Sequence, residues 1–152
     1  MAIEIGKKAP AFKGMASGDK EISLKDYAGK WLVLYFYPKD NTSGCTKQAC
    51  GFSENIKQFE KLDADILGVS PDSVKSHDGF IVKQDLKIDL LSDPEKEIAT
   101  KYGAYGEKSM YGRKYMGTFR ATYVIDEAGK IEHVIKKVKT ADHTEQILAR
   151  YN

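Results

Sequence analysis

Seven consecutive apolar or aromatic residues, Trp31-Leu32-Val33-Leu34-Tyr35-Phe36-Tyr37, run without a polar interruption and stop at Pro38. A strand that alternates apolar and polar residues can leave one face in water, but a continuous run must be covered on both faces. This stretch therefore predicts a central strand with a packing layer on each side. From Gly44 the period changes. Cys45, Ala49, Phe52, Ile56, Phe59 and Leu62 recur at spacings of three and four, which is one face of a helix, and Thr42 or Ser43 can cap its start.

The rest of the chain supplies further layers. Ala64-Asp65-Ile66-Leu67-Gly68-Val69-Ser70 reads as a second strand, and residues 73–85 as a helix with Val74, Phe80 and Ile81 inward. Asp93-Pro94 reads as a helix start, Asp at the cap and Pro in the first turn, carrying Ile98, Ala99 and Tyr102 before Gly103. Residues 106–117, rich in Gly, Tyr and Lys/Arg, read as a loop. Two strands follow, Thr122-Tyr123-Val124-Ile125 and Ile131-Glu132-His133-Val134-Ile135, joined by the turn Asp126-Glu127-Ala128-Gly129, and residues 142–150 read as a closing helix. This order predicts an α/β fold, a mixed central β-sheet sandwiched by helices. With 152 residues and no repeat or low-complexity linker, one domain spanning 1–152 is expected.

Charge and cysteine usage narrow the function. A formal net charge of +2 gives no reason to expect nucleic acid or an anionic membrane as partner. No apolar run approaches the about 20 residues that span a bilayer. The opening Met1-Ala2-Ile3-Glu4-Ile5-Gly6-Lys7-Lys8 lacks the apolar core of a secretory signal, so a cytoplasmic location is expected. The two cysteines, Cys45 and Cys50, are five positions apart. In a reducing compartment such a pair is more often catalytic or metal-binding than structural. Asn41-Thr42-Ser43 matches a glycosylation pattern, a chance match without a secretory route.

The stretch from Tyr37 to Cys50 puts a cysteine in the first turn of a helix that follows a buried strand. Free backbone N–H groups and the helix dipole stabilise an anion there, which lowers a cysteine's pKa and raises its thiolate fraction. A thiolate attacks the O–O bond of a peroxide and becomes a sulfenic acid, which a second thiol converts to a disulfide. Cys50 is the available second thiol, although a free cysteine is also an ordinary small hydrophobe. Five helical residues separate Cα atoms by about 8–9 Å, with side chains about 140° apart around the axis. A disulfide tolerates no more than about 7 Å without backbone movement, so bonding Cys45 to Cys50 requires at least one turn to unwind.

Pro38-x-x-x-Thr42-x-x-Cys45 resembles the active-site signature of peroxiredoxins. The longer string Phe36-Tyr37-Pro38-Lys39-Asp40-Asn41-Thr42-Ser43-Gly44-Cys45-Thr46-Lys47-Gln48-Ala49-Cys50 is similar to the bacterioferritin comigratory protein, or peroxiredoxin Q, subfamily. The similarity extends through Ser70-Pro71-Asp72-Ser73, Leu91-Ser92-Asp93-Pro94 and the residues from Gly117 to Asp126. It implies an elaborated thioredoxin fold and a thiol peroxidase without cofactor or metal. Cys45 is then the peroxidatic cysteine and Cys50 the resolving one. Thr42 bonds the thiolate and the peroxide, Pro38 covers the site, and Arg120 stabilises the thiolate and polarises the peroxide. Gly44 belongs to the same substrate-binding turn. The implied partners are a hydrogen peroxide or organic hydroperoxide substrate and thioredoxin or glutaredoxin as reductant. A monomer is the first expectation and a dimer the second. Ser43 stands where many members have Pro, and Gln48 where many have Glu.

Each of these residues also has a plainer reading. An arginine at a strand start is usually a solvated charge, and only the motif match makes Arg120 catalytic. A threonine before a helix is usually a cap, and Asp40 reads as a turn residue. A thioredoxin-like disulfide exchanger would use Cys-x-x-Cys, whereas the spacing here is Cys-x-x-x-x-Cys. Cys45, Cys50, His77, His133 and His143 lack the spacing of a zinc site, and His77 and His133 read as surface or partly buried polar residues. The basic and aromatic stretch from Lys108 to Tyr115 is a solvated loop rather than a single-strand binder. Its Met110, Tyr111 and Tyr115, with Met116, are candidates for lining a peroxide entrance that leads to Arg120.

Overall fold

A computed structural model describes residues 4–40, 43–61, 63–110 and 112–135. The expected closing helix at 142–150 lies outside the described residues. Two short strands open the fold, β1 (Lys13–Ala16) and β2 (Lys20–Ser23), followed by β3 (Trp31–Phe36). Then come α1 (Ser43–Glu54), α2 (Ile56–Lys61), β4 (Ala64–Ser70), α3 (Val74–Gln84), β5 (Asp89–Ser92) and α4 (Glu97–Lys101). The strands β6 (Tyr105–Met110), β7 (Arg113–Thr118), β8 (Thr122–Ile125) and β9 (Ile131–Ile135) complete the described chain.

Seven of these strands form one mixed sheet in the order β2-β1-β5-β4-β3-β8-β9. β3, β4 and β5 are parallel, while β8 pairs antiparallel with β3, and β1 antiparallel with β5. As the uninterrupted run predicts, β3 is central and feeds both faces. Leu32, Leu34 and Phe36 join a core with Leu67, Val69, Tyr102 and Tyr123. Val33, Tyr35 and Tyr37 point the other way, into a core with Ala49, Phe52, Phe59 and Phe80. Period-two alternation between two covered faces accounts for a strand with no polar residue.

Three sequence expectations change, and two strands appear where none was expected. Residues 106–117, read as a loop, form the β6–β7 hairpin, with Gly112 turning it at φ 79°. β1 and β2 carry too little apolar content to announce themselves. The single helix expected from Gly44 onward breaks at Asn55, whose Nδ2 donates to Gly51 O at 2.9 Å and draws off that carbonyl. α4 begins three residues after Pro94, not on it. Asp93 nevertheless caps it, its carboxylate accepting from the N–H groups of Ile98 (3.3 Å) and Ala99 (3.0 Å).

Candidate active site

The site is built at the C-terminal end of β3, the end of a parallel strand where open α/β sheets place their chemistry. The exit of this strand is held on both sides. Phe36 N donates to Ala121 O at 2.9 Å and Tyr37 N to Val69 O at 3.0 Å. The chain then passes through half-buried Pro38 and buried Asp40 toward α1. α1 starts at Ser43, so Gly44 and Cys45 occupy its first turn. Backbone N–H groups in a helix's first turn lack helical acceptors and the helix dipole is positive there, surroundings that favour an anion. Thr42 and the Cys45 side chain lie outside the described residues. Half-buried Arg120 sits in the link from β7 to β8, directly before Ala121. The backbone therefore brings Arg120 and Pro38 to the same end of β3.

Cys50 lies on the same α1 helix, five residues on, as a half-buried free thiol. Its Sγ faces Gln84 Oε1 at 3.8 Å, in a shallow cleft shared with Ser53, Glu54, Asp85 and Lys87. Burial and then the Glu54 carboxylate push the Cys50 thiol up. Because the helix is continuous from Cys45 to Cys50, its Cα spacing of about 8–9 Å exceeds the reach of a disulfide.

Sequence reasoning missed a buried polar cluster beside this site. Asp40 is 3% exposed and His77 is fully buried. His77 Nδ1 lies 2.8 Å from Asp40 Oδ2, and His77 Nε2 lies 3.0 Å from Leu91 O. Tyr37 Oη donates to Asp40 Oδ1 at 2.6 Å and Ser76 Oγ to Asp40 Oδ2 at 2.8 Å. Asp40 N donates to Asp72 Oδ2 at 2.7 Å. Burial alone would raise the Asp40 carboxyl. Hydrogen bonds from His77, Tyr37 and Ser76, with the His77 charge, outweigh it and hold the carboxyl below its ordinary range. Burial, with Tyr35 and Asp40 nearby, pushes the Tyr37 phenol well above its ordinary range, so it remains a donor. His77 is thus not a surface residue. The signal was present: His77 falls at helical spacing between Val74 and Phe80–Ile81, on the inward face of α3.

Of the residues considered for a peroxide entrance, Tyr115 and Met116 are exposed on β7. Tyr111 and the Met110 side chain lie outside the described residues. Among the described residues no three His, Cys, Asp or Glu side chains gather as a metal site. No described helix is long and apolar enough to cross a membrane.

Comparison with known proteins supplies an independent reading. A model of the AhpC/TSA family matches residues 5–134. The chain is 44% identical over 150 residues to a putative peroxiredoxin bcp of Coxiella burnetii, covering 99% of each chain. It is 43% identical to the peroxiredoxin Bcp of Bacillus subtilis, covering 97% of this chain and 94% of that one. Among solved structures, a cysteine-to-serine mutant of Xylella fastidiosa PrxQ superposes with a TM-score of 0.92 at 37% identity, covering 98% of this chain and 95% of that chain. The Xanthomonas campestris bacterioferritin comigratory protein, studied for alkyl peroxide reduction, has a TM-score of 0.90 at 38% identity, covering 97% of this chain and 96% of that chain.

Proposed function

Because this chain belongs to the AhpC/TSA family and is a thiol peroxidase of the peroxiredoxin Bcp/Q kind, we propose that Cys45 is its peroxidatic residue and Cys50 its resolving residue. The observation that carries this reading is the position of Cys45 in the first turn of α1, straight after the buried strand β3. The thiolate of Cys45 attacks one peroxide oxygen. The O–O bond breaks, the alcohol or water leaves with a proton, and sulfur keeps the oxygen as a sulfenic acid. The Cys50 thiolate then attacks that sulfur, the S–O bond breaks, and water departs as the disulfide forms. A dithiol protein, thioredoxin or glutaredoxin, returns both cysteines to thiols.

Thr42 and Arg120 are assigned to the first step, aiming donors at charge that develops on the peroxide oxygens. Pro38 shields the thiolate from water, and the Gly44 backbone forms part of the substrate turn. Hydrogen peroxide and organic hydroperoxides are the proposed substrates, the latter supported by the alkyl peroxide reduction studied in the Xanthomonas relative. The working form proposed is a cytoplasmic monomer with all 152 residues in one domain.

The test is peroxide consumption with a thioredoxin system. Cys45→Ser should lose turnover entirely. Cys50→Ser should form one sulfenic acid per chain and then stall unless an external thiol is supplied. Full activity in Cys45→Ser would falsify the assignment. Peroxide consumption set beside insulin reduction separates this activity from simple disulfide exchange.

A further inference from the structure

We propose that the buried Asp40–His77 pair is a positioning device for the peroxidatic turn, the fixed point from which α1 is held in its reactive, folded form. The inference rests on the reading of Cys45 as the reacting thiol.

Three observations carry it. The first is location: Asp40 stands between Pro38 and the start of α1 at Ser43, on the short link that delivers Cys45 to the end of β3. The second is reach. Through Asp40 this link is tied to three separate elements. His77 and Ser76 belong to α3, Leu91 O belongs to β5, and Asp72, which accepts from Asp40 N, follows β4. Asp72 is itself held, since its carboxylate accepts from Ser70 Oγ at 2.7 Å and its carbonyl from Ser92 Oγ at 2.6 Å. The third is completeness. His77 faces an acceptor with each ring nitrogen, and Asp40 receives a donor on each oxygen, so every polar atom of the two side chains is satisfied where it stands.

Replacing such a pair by packed apolar residues is often neutral for stability, so stability alone does not account for its presence. What the pair does supply is a single permitted position for the link. That matters because the proposed chemistry uses two states of α1. Cys45 must meet the peroxide with the helix folded, and must meet Cys50 with a turn unwound. A rigid attachment ahead of the helix favours the folded state and fixes the aim of its first N–H groups. Asp40 and His77 act through the backbone of Cys45 and do not touch the reacting atoms.

The experiment separates the two steps. Rapid-quench mass spectrometry follows Cys45 sulfenic acid formation from hydrogen peroxide, and then disulfide formation, at a temperature below the melting point of each variant. Asp40→Asn and His77→Gln should slow the first step about tenfold or more, since a misplacement of about 1 Å can cost about a hundredfold. The second step should be as fast as in wild type or faster. His77→Asn, whose amide nitrogen replaces Nδ1 as a donor to Asp40, should recover part of the loss. Should the stronger variants fail to fold, Ser76→Ala removes one donor only and should slow the first step measurably with no slowing of the second. Wild-type rates of Cys45 oxidation, or equal slowing of both steps, would overturn the inference. Turnover persisting in Cys45→Ser would instead defeat the cysteine assignment, whatever the pair variants do.

Discussion

Gly68 sits in β4 where no side chain fits. A Cβ there would lie 2.8 Å from Leu90 Cδ2 and from Tyr35 Cζ and Oη. Tyr35 is fully buried, stacked on Tyr37 and tilted against Phe52, so its ring is hemmed in on both sides. Overpacking of this kind costs about 1–3 kcal/mol. Gly68→Ala should therefore unfold at lower urea with an unchanged slope, and a midpoint equal to wild type would show that the rings give way. Asp40 yields a second prediction, whose sign follows from its depressed pKa. Its contribution is present above the unfolded carboxyl value of about 3.9 and is lost as pH falls through the lower folded value. Asp40→Asn should cost about 3–5 kcal/mol near neutrality, as one partner of a buried pair is removed, and the two stability curves should converge in acid. Parallel curves across that range would mean the carboxylate is not what the fold depends on.

At the scale of elements, α1 is the one that the proposed Cys45–Cys50 pairing requires to change. Its C-terminal end is anchored by Phe52, which is completely buried and packs on Tyr35 and Phe59. The proposed disulfide requires the helix ahead of that anchor to unwind. Amide exchange between about residue 42 and Phe52 should therefore quicken in the oxidised protein and stay slow in the reduced one. Equal protection in both states would exclude the Cys45–Cys50 pairing. Elements were legible in the sequence where a buried face imposes a period. β3, β4, α3 and β8 each bury such a face, and each was readable. The β6–β7 hairpin was not, because residues 113–116 are all exposed and no alternation is imposed on them. The site divides the same way. The proposal for Cys45 comes from a motif local in sequence. The Asp40–His77 pair joins residues 37 positions apart, and no local pattern announces it.

For the whole molecule, two clamps set the size of the motion. In the proposed mechanism the chain is held before the Cys45 turn by buried Asp40 and after it by buried Phe52. Only the segment between the clamps has to open for Cys45 and Cys50 to meet. Unwinding about a turn of helix takes on the order of a microsecond or less, so the resolving thiol can arrive soon after the sulfenic acid forms. Inactivation requires a second peroxide to reach that sulfenic acid first and convert it to a sulfinic acid. The two outcomes compete, and only the second depends on peroxide concentration. Wild-type protein should accordingly resist excess peroxide, accumulating sulfinic acid only at concentrations well above those that inactivate Cys50→Ser, in which no thiol intercepts Cys45. Mass spectrometry during turnover against rising peroxide provides the measurement. If sulfinic acid appeared in wild type as readily as in Cys50→Ser, the opening would have to be slow. The clamps would then hold the whole of α1 rather than its flanks.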